Sequence, residues 1–262
     1  MDGEAILQLY FGCEVSDIHE FVVLMPLPPR NLDDFKKLCD EVQTEFTGWV
    51  GSGFVGWMGG YYVTAICPGT GSSQIGDGTL AVGHGPCKVA IFVGSIGGLV
   101  DNMSIGDIVV VDEAVVGEGF SRYHLGKTPA EDTFGQIVRA DDALMDYLWP
   151  RVRGMARRLG VAAHKGRAFT TESLLAETES FLQGIVRLGC IGIEKEASAF
   201  YTAARKAEIQ AAAVLCVSDL PLHQKSLFAE RTQEEEEKRV RVRHEMIPQI
   251  ILELAAGLAL LH

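Results

Sequence analysis

The stretch Gly189–Leu220, GCIGIEKEASAFYTAARKAEIQAAAVLCVSDL, does most to limit what this chain can fold into. A short apolar run, Cys190 to Ile193, ends in three charged residues, Glu194, Lys195 and Glu196. Ala197, Phe200, Tyr201 and Ala204 follow at helical spacing, and Ala211 to Val217 is apolar enough for a buried parallel strand. The pattern predicts strand, helix, strand, with the second strand stopping at Ser218-Asp219. Carboxylates at the ends of two parallel strands sit where open α/β sheets bind ligands. Helix N-capping is the competing role for Glu194 and Glu196, because acids there satisfy free N–H groups and suit the helix dipole.

The rest of the chain supplies more strands and helices in alternation. Phe21 to Met25 predicts a first strand, closed by the proline-rich turn Pro26-Leu27-Pro28-Pro29-Arg30. Asn31 is placed to cap a helix with Phe35, Leu38 and Val42 on one face. Trp49 to Cys67 reads as a hairpin turning at Gly59-Gly60. Val89 to Val93, Ile105 to Val116 and Val161 to Thr170 predict further strands, and Asp142 to Leu159 an amphipathic helix. Gly117 to Gly135 and Pro221 to Arg231 read as loops, and a closing helix is expected from about Thr232 to Leu261. Within it, Glu234 to Glu237 followed by Lys238, Arg239, Arg241 and Arg243 reads as a solvated face suited to the macrodipole and to i,i+4 pairing. Such alternation predicts an α/β fold with one central sheet.

Composition narrows the partners. With 23 basic and 35 acidic residues the chain carries a net charge of −12, which argues against nucleic acid and for a soluble cytoplasmic protein. The six cysteines show no C-x-x-C pairing or nearby histidines, so free, largely buried thiols are expected and no metal site. The apolar stretch Ile250 to Leu261 is too short to span a bilayer and carries Glu253, and no signal-peptide pattern opens the sequence.

The central stretch is similar to the core signature of the nucleoside phosphorylase superfamily. Its purine members carry V-E-M-E-A-A-x-x-Y followed by a T-V-S-D strand end. Here the matching residues are Ile193-Glu194-Lys195-Glu196-Ala197-Ser198, Tyr201 and Cys216-Val217-Ser218-Asp219. Further matches are Gly94-Ser95-Ile96-Gly97-Gly98, Ile105 to Val109, Gly166 to Thr171 and Ala229-Glu230-Arg231. The resemblance runs from Phe21 to the end of the chain. It implies one domain over residues 1–262, a central mixed sheet flanked by helices, and a homo-oligomer (dimer, trimer or hexamer). It also implies a small nucleoside substrate and no cofactor.

Breaking an N-glycosidic bond leaves an oxocarbenium-like sugar and a base gathering negative charge, so an acid that protonates the base speeds its departure. The resemblance assigns that acid to Asp219, with Arg231 closing onto it; a surface position at a helix start is the alternative for Arg231. Glu196 would accept hydrogen bonds from the ribose 2′- and 3′-hydroxyls. Glu194, Ser218, Gly94, Ser95, Thr170 and Arg30 complete the implied pocket. Lys195 replaces the family's methionine beneath the sugar and could pair with an acidic substituent on the substrate, or else snorkel to solvent or pair with Glu194. Leu174 stands where an aromatic would stack on the base, a role Phe169 could take.

The departures concern the acceptor. The family binds phosphate with arginines at a G-D-P-x-R turn, at an R-V-G-S strand end and from a neighbour's hairpin. Here those positions read Arg30, Phe92 and a residue near Trp49, and no arginine lies between Asn31 and Ser121. An oxyanion desolvated against Phe92 is costly, so water is the expected acceptor and hydrolysis the expected reaction. The water's base is not evident; Glu118 and His124 are candidates. The alternatives are a phosphorylase using Arg30 and Ser95, and a non-catalytic nucleoside-binding protein.

Overall fold

The computed structural model describes residues 2–128, 130–223 and 225–259. Ten strands form one mixed sheet: β1 Phe21–Leu24, β2 Glu41–Thr47, β3 Ser52–Met58, β4 Tyr61–Cys67, β5 Val89–Gly98, β6 Ile108–Gly117, β7 Ile137–Arg139, β8 Ala163–Thr171, β9 Cys190–Glu194 and β10 Gln210–Asp219. The α/β class with a central mixed sheet is what the sequence predicts. The order β10-β6-β8-β9-β5-β1-β4-β3-β2 closes on itself at one end, because β10 also pairs with β5. Five strands therefore form a ring, and β1 to β4 extend from it as an open wing.

The ring alters one expectation. β1, β5 and β10 run parallel, but β9 meets β5 antiparallel, through Gly97 opposite Ile193 and Gly98 opposite Gly192. β9 and β10 are thus not parallel neighbours; they approach β5 from opposite senses. The approach is close. A Cβ at Gly192 would lie 2.5 Å from the Ile96 side chain and 3.0 Å from the Gly97 carbonyl.

Helices cover the sheet: α1 Gly3–Phe11, α2 Leu32–Lys36, α3 Ser72–Val82, α4 Arg122–Leu125, α5 Asp142–Arg158, α6 Glu179–Arg187, α7 Ala197–Lys206, α8 Gln233–Arg241 and α9 Ile247–Ala259. The helix expected after Asn31 is shorter than its spacing predicts and lacks that side-chain cap, because Asn31 Nδ2 donates back to the Pro28 carbonyl at 3.0 Å. It stops at Lys36, and Val42 joins β2, paired with Gly56 across the hairpin. The small-residue stretch Gly69–Gly85, which favours no element strongly, holds α3, whose glycines let Phe120 and Pro68 pack against it. The closing helix is interrupted by a π-helical turn, Val242–Met246, and its expected end at Leu261 lies outside the described residues.

α7 is the interior helix. All eight residues from Ala197 to Ala204 are buried, and Tyr201 donates its hydroxyl to the Val111 carbonyl at 2.5 Å. Small residues on three sides, with Phe200 and Tyr201 as the bulky exceptions, let it thread between α3 and the sheet. The six cysteines are free thiols, four of them fully buried. Among the described residues no helix is long and apolar enough to cross a membrane.

Candidate active site

Because β1, β5 and β10 are parallel, the loops beyond their carboxyl ends open on one edge of the sheet, where ligands collect in such folds. A cavity of about 700 Å³ lies there. One wall is Pro26 and Leu27 after β1, with Gly94, Ser95 and Gly97 of β5. Ser218 and Asp219 form its floor with Ile193 to Glu196. Leu174, Leu175, Glu177, Leu227, Phe228 and Arg231 close the far side, and the closing helix adds Arg239 and Arg243.

Asp219 owes its aim to a bulge. Along β10, Val217 pairs with Ile96 and Asp219 with Gly97, leaving Ser218 as the extra residue. Bulges of this kind redirect the following side chain. The Ser218 hydroxyl donates to Asp219 Oδ1 at 2.7 Å, and Arg231 Nε donates to the Ser218 carbonyl at 3.1 Å. Burial raises the Asp219 pKa; the Ser218 bond and the Arg231 charge pull it back only partly. The site therefore shifts Asp219 towards its protonated form, while the Arg231 charge favours the anion once the proton leaves.

The two glutamates at the β9–α7 junction have different jobs. Glu194 is the cap: its Oε2 accepts from the backbone N–H groups of Glu196 and Ala197 at 2.6 and 2.7 Å, and its Oε1 from Thr170 Oγ1 at 2.5 Å. Thr170 Oγ1 in turn accepts from Ser198 N at 2.9 Å, so β8, β9 and the start of α7 are bound together. Glu196 makes no cap. Its Oε1 accepts from the Gly71 N–H at 2.7 Å, a bond that needs Gly71 at φ +98°, where a side chain would be strained. Burial raises the pKa of both carboxyls. Lys195 lies between them in sequence and lines the cavity. Its charge acts on the cavity's own carboxyls, pulling down the pKa values of Glu196 and Glu177 that burial raises.

Residues 20–253 match the model of the phosphorylase superfamily.

The chain belongs to the phosphorylase superfamily, a family of enzymes.

Among sequence relatives, it is 25% identical over 240 residues to a purine nucleoside phosphorylase DeoD-type of Exiguobacterium sp., covering 90% of this chain and 96% of the relative. A second such phosphorylase, of Roseobacter denitrificans, is 26% identical over 217 residues, 81% and 87% of the two chains. In structure it is similar to uridine phosphorylase of Vibrio fischeri, with TM-score 0.77 at 18% identity over 93% and 94% of the chains. It is also similar to the 5′-methylthioadenosine/S-adenosyl homocysteine nucleosidase of Campylobacter jejuni, with TM-score 0.71 at 11% identity over 90% and 98%.

Of the residues that the phosphorylase superfamily resemblance marks out, Asp219, Arg231, Glu196, Glu194, Lys195, Ser218, Ser95 and Gly94 come together at the cavity. Three do not line it. Phe169 lies in a separate apolar cluster, edge-on to Phe134 and Phe181 at centroid distances of 6.0 and 5.7 Å, because strand alternation turns it away while Thr170 faces Glu194. It cannot stack on a ligand there; the aromatic at the cavity is Phe228, in the loop after β10. Thr170 acts one layer back, through Glu194. Arg30 is exposed outside the lining, near enough to Arg243 to depress its pKa. Glu118 binds Ser121 and accepts from Ser198 at 2.8 Å, holding a loop to α7, and neither it nor His124 lines the cavity.

Three charged cavity residues are not assigned to the site by the sequence reading: Glu177, Arg239 and Arg243. Glu177, in the turn before α6, is half-buried, and burial, with the Asp219 charge added, pushes its pKa up to about 7. Nothing in its local sequence marks it. Arg239 and Arg243 are hidden by their setting, a charged run that reads as a solvated helix face. In the structure that run divides: Lys238 pairs with Asp107 at 2.8 Å, Arg239 with Glu236, Arg241 is exposed, and Arg243 turns inward. The absence of arginine from Asn31 to Ser121 stands, but Arg239 and Arg243, read from the sequence as part of a solvated face, join Lys195 and Arg231 at the cavity.

Proposed function

We propose that the protein cleaves the N-glycosidic bond of a purine-type nucleoside, with Asp219 as general acid to the leaving base and Glu196 as acceptor for the ribose hydroxyls. The observation that carries this reading is Asp219 at the bulge, its pKa raised by burial, in one cavity with Arg231 and Glu196. As the C1′–N bond lengthens, the base takes the proton from Asp219 and Arg231 stabilises the carboxylate left behind. Glu196, whose pKa burial raises to about 7, faces the sugar with its charge when ionised, as the sugar becomes cationic. The purine preference follows the two phosphorylase relatives, which are both of the purine type. A binding protein that never turns over its ligand has no need of a proton relay between an acid and a cation, so catalysis is the better reading of Asp219 and Arg231 together.

The acceptor distinguishes hydrolysis from phosphorolysis. Hydrolysis requires a base for the water, and the turn after β1 offers only Pro26 and Leu27 on that side of the cavity. Incubating the protein with purine and pyrimidine nucleosides, with and without inorganic phosphate, and separating the products by chromatography tests the reading. Release of free purine in either buffer upholds it, and free ribose or a ribose 1-phosphate as co-product identifies the acceptor. No release from any nucleoside would overturn it.

The role of Glu196 has its own signature. Glu196→Gln removes the charge that accepts from the ribose, a bond worth about 1.5–3 kcal/mol. We expect kcat/KM for a ribonucleoside to fall about 10- to 100-fold, and to fall far less for the 2′-deoxynucleoside. Equal losses on both substrates would mean that Glu196 does not touch the 2′-hydroxyl.

A further inference from the structure

The two strand-end and hairpin positions where the family resemblance puts arginines hold no cation in space either. Phe92 is core, packed edge-on against Phe200 at 5.8 Å, and Trp49 is a surface side chain. Two other arginines nevertheless line the cavity. Arg243 reaches it from the π-helical turn Val242–Met246, and Arg239 from four residues earlier. Single π turns inside α-helices are frequent at functional sites. This one is fastened to α2 by His244 Nδ1 and Asp34 Oδ2, 2.6 Å apart.

Among the described residues, only two buried side-chain polar atoms have no hydrogen-bond partner, Ser95 Oγ and Arg243 Nε. Both residues line this cavity. Their proximity follows from the fold: Cys216 of β10 pairs with Ser95 of β5, and the end of α8 lies over Cys216, whose Sγ is 3.9 Å from the Arg239 carbonyl. Arg243 forms no ion pair among these residues. Its charged surroundings are mostly cationic, and burial together with Arg239 and Arg30 pushes its pKa down, with Asp34 and Cys216 opposing. Asp34 is engaged by His244. The Cys216 thiol cannot serve as counter-ion, since burial lifts its pKa to about 12. Arg239 spends its Nε and one terminal nitrogen on Glu236. An arginine does not shed its charge to escape such a site; a bound anion satisfies it.

We propose that Arg243, backed by Arg239 and faced by Ser95, is an oxyanion subsite for a phosphate group, supplied by the closing helix in place of the absent strand-end and hairpin arginines. The guanidinium fork and a serine hydroxyl suit a tetrahedral anion with several acceptor oxygens. Joined to the glycosidic reading, on which this consequence rests, free phosphate held here is the acceptor. The C1′–N bond breaks, a phosphate oxygen bonds to C1′, the base takes the Asp219 proton, and the proton of hydrogenphosphate restores Asp219.

Binding is measured on the intact protein without nucleoside, by calorimetry with sodium phosphate against sodium chloride of equal ionic strength. We expect saturable phosphate binding that weakens at least tenfold in Arg243→Met, recovers in part in Arg243→Lys, and weakens severalfold in Ser95→Ala. Arg243→Lys keeps a cation and guards against a merely unfolded Met variant. The source of the phosphate is read by turnover. Nucleoside cleavage that requires inorganic phosphate and Arg243 makes the occupant free phosphate. Tighter, Arg243-dependent binding of a nucleoside 5′-phosphate, with no effect of inorganic phosphate on cleavage, makes it the substrate's own. Phosphate groups that bind equally well in folded Arg243→Met, or not at all to the native protein, would overturn the subsite. Arg243-dependent phosphate binding by a protein that cleaves no nucleoside would leave the subsite standing and sink the glycosidic reading instead.

Discussion

Asp219→Asn is expected to lower kcat on a natural purine nucleoside by about 10²–10⁴-fold, the usual contribution of a positioned general acid. Asparagine preserves the shape and still accepts from the Ser218 hydroxyl, now 2.7 Å from Asp219 Oδ1, so the fold and the cavity should survive. What it lacks is a proton to give. A riboside whose leaving group departs readily as an anion, such as a nitrophenyl riboside, should lose little activity in the same variant. The pH profile carries a second signature. Burial raises the Asp219 pKa, and with Asp219 as the proposed acid the protonated form is the active one, so activity should decline as pH rises through that value. Asparagine should remove this alkaline limb. Equal losses on the natural and the activated substrate would show that Asp219 positions the ligand rather than protonating the base.

Glu194→Ala should damage stability rather than chemistry. It would strip the acceptor from two buried backbone N–H groups and from Thr170, each worth about 1–3 kcal/mol when left unpaired. A loss of about 3–6 kcal/mol is expected, against a total of about 5–15 kcal/mol for folded domains. Denaturant unfolding followed by circular dichroism measures it. Glu194→Gln keeps an acceptor for both N–H groups and removes only a carboxyl whose ionisation burial disfavours, so it should cost much less. The sign of the pH effect is fixed by the raised pKa. A carboxyl whose pKa is lifted by folding favours the folded state below its unfolded value, and that contribution fades as pH rises through the folded one. Stability should thus soften towards alkaline pH, and Glu194→Gln should lessen the slope. An unchanged unfolding midpoint in Glu194→Ala would show that the cap is dispensable.

The two glutamates show how far local pattern reaches. Glu194 and Glu196 stand two residues apart before a helix, and either is a plausible cap by sequence. Which one caps depends on Gly71, 125 residues away from Glu196 in the chain, whose N–H holds Glu196 towards the cavity. Phe169 and Phe228 make the same point for the aromatics. Phe169 sits in a motif and is core; Phe228 sits in a loop without a motif and lines the cavity. Val42 was expected on a helix because its spacing from Phe35 and Leu38 is helical, but pairing with β3 outweighs a short helical pattern.

The sequence by itself determined the alternation of strands and helices, the α/β class, and the strand ends at Glu194 and Asp219, because apolar periodicity and chain punctuation are local properties. It also determined which acid stands at the end of β10. The tertiary structure alone decided that the sheet closes into a ring with β9 antiparallel to β5, that Ser218 is a bulge before Asp219 at the cavity, and that Arg243 and Ser95 line the same cavity. Those are contacts between segments up to about 150 residues apart, set by strand register and by the seating of the last helix. A residue's charge is written in the chain; the company that makes the charge useful is chosen by packing.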